Sequence, residues 1–130
     1  MKGSVVADVL SVKVTGEPNT YQFNVEVSSP DTGCDQYADW WEVLNEDGQL
    51  LYRRVLLHSH VDEQPFTRSG GPVLIDENTV VYIRAHMNTE GYGGQVLKGS
   101  VANGFQPVDV EVGFAADVET LLPLPEGCAF

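Results

Sequence analysis

"YQFNVEV", residues 21–27, alternates without a break: Tyr21, Phe23, Val25 and Val27 fall on one side, Gln22, Asn24 and Glu26 on the other. A strand turns successive side chains to opposite faces, so this is the pattern of a half-buried β-strand. Upstream, "VADVLSVKVTG" (6–16) alternates in part, with Val6, Leu10, Val12 and Val14 on one face, and "TGEPNT" (15–20) reads as the turn between the two. Downstream, "WWEVLN" (40–45) and "LLYRRVLLH" (50–58) flank "EDGQ" (46–49), where Asp47-Gly48 is a strong hairpin signal. "GPVLI" (71–75), "VVYIRAHM" (80–87), "QVLKGSV" (95–101) and the fully alternating "VDVEVGF" (108–114) complete the strand candidates; "DENT", "TEGYGG" and "ANGFQP" are turns or loops. No segment sustains a 3.6-residue period. The expected fold is an all-β sandwich of immunoglobulin or fibronectin-III type with about seven or eight strands. A barrel is the alternative.

Residues 1–130 read as one domain, with 115–130 an irregular tail holding at most one helical turn before its prolines stop it. Hydrophobic content of 42% excludes disorder. The formal charge is −12, and five acids but no bases follow Lys98. Such a surface repels phosphates, which argues against nucleic-acid and anionic-membrane partners and is compatible with cationic ligands or metal ions. No stretch is apolar enough to span a bilayer, and Asp8 interrupts the apolar run a signal peptide would need. The chain is thus read as cytosolic or as lacking a signal removed earlier. Cys34 and Cys128 allow one disulfide tying the tail to a loop, or two free thiols.

Strand direction groups the loops. With the 21–28 strand running up, loops 29–39, 58–71 and 88–94 all lie at the top, and they hold most of the unusual residues. His58 and His60, two apart, share a face if their strand continues, and could hold Zn²⁺ or Cu²⁺ with Cys34, Asp35, Glu63 or Glu90. The alternative is imidazoles bonded to loop carbonyls and carboxylates. Asp31, Asp35 and Asp39 recur every four residues, but turn chemistry explains them better than Ca²⁺. Arg68 either pairs with Glu63 to pin its loop or grips a ligand carboxylate. Phe66 is expected beneath that loop as an anchor. Tyr37, Trp40, Trp41 and Tyr92 suit either an aromatic wall or core; only one of the two tryptophans can face inward, so the other needs a further layer or is partly exposed. No nucleophile elbow, phosphate loop or dinucleotide fingerprint is present, although Cys34 could meet either histidine.

"SPDTGCDQYADWWEVL", "LLHSHVDEQPFTRSGG" and "TEGYGG" together resemble a family of small, uncharacterised bacterial proteins, many of them exported. The resemblance runs from Ser29 to Gly94, about half the chain, and its central motif is long and specific. It implies possible export but no activity. The family pattern places histidines in all three top loops; here Gln36 and Glu90 stand at two of those positions and Cys34 replaces a Trp. A mixed site of His58, His60, Glu90 and Cys34 is what the resemblance leaves.

These residues point to a non-enzymatic module binding a small ligand or metal through Asp35, Tyr37, Glu63, Arg68 and Tyr92 or the histidine set. An interaction module with a purely structural loop network is the second reading, and a metal-dependent enzyme the third. The alternating "VDVEVGF" could pair with a second copy as a homodimer, against the repulsion of Asp109 and Glu111.

Overall fold

The computed structural model describes residues 5–129. It is an all-β sandwich of two antiparallel sheets. The smaller has the order β1 (Asp8–Thr15), β2 (Tyr21–Ser28), β5 (Phe66–Val73). The larger runs β4 (Leu50–Val55), β3 (Ala38–Asn45), β6 (Val81–Met87), β7 (Val96–Ser100), β8 (Gly104–Val108).

The alternation of β2 sets the core. Tyr21, Phe23, Val25 and Val27 are all buried and meet Trp41, Val43, Ile83, Ala85 and Met87 of the facing sheet. Each large apolar side chain removed from water contributes about 1.5–3 kcal/mol. In β1 a bulge between Val9 and Ser11 resets the alternation. Val9 is buried, Val12 and Val14 pack on the core, and Leu10 turns outward, contrary to the sequence expectation.

β3 is buried on both faces. Trp41 and Val43 enter the core, while Trp40, Glu42 and Leu44 point out of the sandwich yet remain covered. The cover is the C-terminal segment, a third layer containing a 3₁₀ turn at Ala116–Thr120 that buries Val118. Trp40 is therefore capped by another layer, one of the two options its position left open.

Three boundaries differ from the sequence reading. β4 ends at Val55, so His58 and His60 sit in a loop rather than on a strand. The loop spans 56–65, because β5 already begins at Phe66; Arg68, opposite Val25, is a strand residue. The last strand is Gly104–Val108, pairing with β7, and "VDVEVGF" leaves the sheet after its first residue. Pro107 lacks an N–H and is tolerated because β8 is an edge strand. Beyond it, the Arg84 guanidinium captures the carbonyls of Phe114 and Ala115 at 2.7 and 2.9 Å, drawing the chain across the outer face.

Candidate functional site

The three top loops do come together. Asp31 is buried at their junction: its Oδ1 accepts from Ser29 Oγ (2.7 Å) and Ala38 N (3.0 Å), and its Oδ2 from His60 N (2.8 Å). Gln64 bridges the same two loops, accepting from Ser29 N and donating to the His60 carbonyl. Asn88 does the equivalent for the third loop, accepting from Tyr37 N and donating to the carbonyls of Cys34 and Asp35. Carboxylate and amide side chains serve here because loop backbone at a sheet end has no ladder partner and must be satisfied otherwise.

Cys34 is bonded to Cys128. This corrects Cys34 as a metal ligand or nucleophile, since a disulfide sulfur offers no thiolate. It also secures the tail, whose Ala129 N donates to the Leu57 carbonyl.

On the loop 56–65, His60 is only 4% exposed. Its ring lies flat on Phe66, with centroids 3.9 Å apart, so Phe66 is the buried anchor expected of it. The ring of His58 is 4.5 Å away and tilted, its Nδ1 donating to the Ser59 carbonyl at 2.9 Å. A carbonyl only accepts, which sets that tautomer. Among the described residues neither ring nitrogen of His60 has a hydrogen bond, and Nδ1 stands 4.0 Å from Asp31 Oδ2. Ser59 Oγ is likewise buried and without a partner among the described residues. Residues 58–63 line a shallow cavity of about 360 Å³. Burial first, then the Arg68 guanidinium and His58, hold the His60 pKa below its ordinary value, so the ring is neutral at pH 7. Arg68 reaches Glu63 at 2.9 Å and the Thr67 carbonyl at 2.7 Å, and this pairing holds the exposed Glu63 carboxyl below its usual range. Arg68 therefore pins the loop.

The other expected site residues scatter. Asp35 and Glu90 are exposed. Tyr37 is buried, and burial followed by Asp39 and Asp31 raises its phenol pKa. Asp31 serves the loop junction, Asp35 faces solvent and Asp39 bonds His86, so the three aspartates do not converge. Among the described residues no three His, Cys, Asp or Glu side chains gather as a metal-holding group.

Tyr92 belongs to a cluster the sequence reading missed, beneath the tail on the outer face of β3, β4 and β6. Glu42, wholly buried, accepts from Arg53 and Arg84, each at 2.8 Å. Arg53 lies 4.1 Å over the Trp40 ring and Arg84 3.5 Å over that of Tyr92. His86 stacks on Trp40 at 3.7 Å, its nitrogens 2.6 Å from Asp39 Oδ1 and from Glu119 Oε2. Arg53 donates to the carbonyls of Val118, Leu121 and Pro123. Burial, then the Glu42 carboxylate, push the Tyr92 phenol far above its usual value. One signal was available: Trp40 and Glu42 alternate with core residues, as do Arg84 and His86, and buried charge on an outer face demands a further layer.

Fold and loops thus define an all-β sandwich with three tied loops at one end and a disulfide-anchored strap across one face. Over 76 residues the chain is 45% identical to a protein of Halomicrobium mukohataei named "Putative lipoprotein", a match spanning 58% of this chain and 37% of that protein. The chain thus accounts for little over a third of that relative, which is archaeal. No family model matches the chain, and no solved structure does. Among the described residues, no helix is long and apolar enough to cross a membrane.

Proposed function

We propose that this chain is a non-enzymatic binding module working outside the cytoplasm, with its ligand site at the three-loop end around His60. The observation that carries this reading is a buried imidazole, His60, whose two nitrogens find no hydrogen-bond partner among the described residues, with the buried Ser59 hydroxyl equally unpartnered, on a locked loop that borders a shallow cavity. Buried polar atoms are normally satisfied, so such a set is completed by something else. A neutral imidazole offers one donor and one acceptor, and a hydroxyl offers both. That complement suits a small neutral ligand bearing hydroxyl or amide groups. A Zn²⁺ or Cu²⁺ ion on His58 and His60 is the narrower form of the reading and would need exogenous ligands. Placement outside the cytoplasm is supported by the disulfide and by the name of the archaeal relative.

Imidazole ¹⁵N NMR of the labelled protein tests the site. A panel of small polyols, amides, Zn²⁺ and Cu²⁺ is titrated in turn. At least one should shift the His60 ring signals saturably, and His60→Phe should abolish its binding. A panel that leaves those signals unmoved, or binding that survives His60→Phe, overturns the assignment. The second reading, a protein-interaction module, is favoured by Asp31, whose carboxylate is spent wholly on loop geometry. It gains if a protein partner's footprint covers the loops while the ring signals stay fixed.

A further inference from the structure

The hairpin of β7 and β8 does not stay closed. Its ladder runs from the Ser100–Gly104 pair to the Val96–Val108 pair and stops. Past that point the chains part, and segments 92–95 and 107–114 become opposite walls of a cleft of about 580 Å³. That volume lies in the range of specific binding sites, on the order of 300–1,000 Å³.

The outer wall, past the end of β8 at Val108, has the alternation of a strand but joins no ladder. Val108, Val110 and Val112 alternate with Asp109 and Glu111, and Val112 is fully exposed. Among the described residues, the N–H groups of Asp109, Val110, Glu111 and Val112 find no acceptor. The facing wall is already tied to β1, Gln95 donating its N–H to Asp8 Oδ1 and accepting from Val9 N; the unmet N–H groups of the outer wall, beside an open cleft, are what an added strand would use. Asp109 and Glu111 enter no ion pair within the described residues. A second copy is the wrong occupant: antiparallel self-pairing about Val110 sets Asp109 of one chain against Glu111 of the other, and like charges directly opposite are destabilising.

We propose that the gap between 92–95 and 109–113 is a strand-addition site for an extended basic segment of another polypeptide. Ladder hydrogen bonds to Val110 and Val112, whose N–H groups continue the side on which Val108 meets Val96, supply register; the valines supply apolar contact, and Asp109 and Glu111 select lysine or arginine at alternate positions. The net charge of −12 favours encounter with such a partner. The site is separate from the His60 cavity and stands whether or not that cavity binds anything.

The probe is a synthetic alternating Lys-Thr peptide, with an alternating Glu-Thr peptide as control, added to the ¹⁵N-labelled full chain. The Lys-Thr peptide should shift the amides of 109–112 and slow hydrogen exchange at Val110 and Val112; the Glu-Thr peptide should do neither. Val110→Pro deletes one ladder donor in an exposed segment and should weaken binding about tenfold, the worth of one or two hydrogen bonds. Asp109→Lys with Glu111→Lys should reverse the preference. Unprotected amides at Val110 and Val112, or equal binding by Val110→Pro, would show only diffuse attraction to an acidic surface and overturn the proposal. Sedimentation showing a dimer lost in Val110→Pro would overturn it in favour of self-pairing.

Discussion

Two histidines show how environment, not residue type, sets a role. His60 and His86 are both buried and stacked on an aromatic ring. His86 has a carboxylate oxygen 2.6 Å from each ring nitrogen. Among the described residues His60 has no hydrogen bond at either nitrogen, the Asp31 carboxylate standing 4.0 Å off, and burial, then Arg68 and His58, disfavour its charged form. A folded-state pKa below the unfolded value means the unfolded chain binds the extra proton first. The His60 contribution is therefore absent as a penalty above about pH 6.5 and destabilises as pH falls through that value toward the lower folded pKa. Denaturant melts from pH 7 to 5 should show stability falling for the native protein, with a shallower slope for His60→Gln. Equal slopes would mean the ring is not desolvated as described. His60 was legible as a test point from its two-residue spacing to His58. His86 was not, because its partners lie 47 and 33 residues away in sequence.

At the scale of elements, the C-terminal strap is the least expected feature. Its prolines argue correctly against a helix or strand, and the 3₁₀ turn at Ala116–Thr120 matches the single turn expected. What sequence patterning misses is that the segment is a packed layer. Its carbonyls meet Arg53 and Arg84, its Glu119 meets His86, and its Cys128 closes a loop of sequence separation 94. In the chain-entropy view a loop of that size contributes about 4–5 kcal/mol through the unfolded state. Cys34→Ser with Cys128→Ser should lower stability by about that much. Hydrogen exchange should then show residues 124–129 opening first, with β3 and β6 still protected. Simultaneous loss of protection in strap and sheets would show that the guanidinium contacts do not hold the strap alone. The "VDVEVGF" segment fails as a strand for the same reason: its period is right, but competition from Arg84 for the next carbonyls lies outside any local window.

For the whole molecule, charge is the dominant long-range term. Nineteen acids face seven lysines and arginines, and much of the positive charge is sequestered, Arg53 and Arg84 on Glu42 and Arg68 on Glu63. The remaining surface repels itself, and salt shortens the reach of that repulsion from about 10 Å at 0.1 M to about 3 Å at 1 M. The melting temperature should rise between those concentrations of NaCl. A fall would show that the exposed Arg68–Glu63 and Lys98–Glu46 pairs outweigh net repulsion. The sequence by itself determined the two-sheet architecture and the gathering of three loops at one end. Both follow from alternation and strand direction, which are local properties that add up along a chain. Only the tertiary structure decided which loop residues are spent on holding the end together, that Cys34 pairs with Cys128, and that a third layer buries Trp40, Glu42 and His86. Those depend on hydrogen bonds, ion pairs and a disulfide between residues far apart in sequence, and no local pattern encodes the distance between such groups.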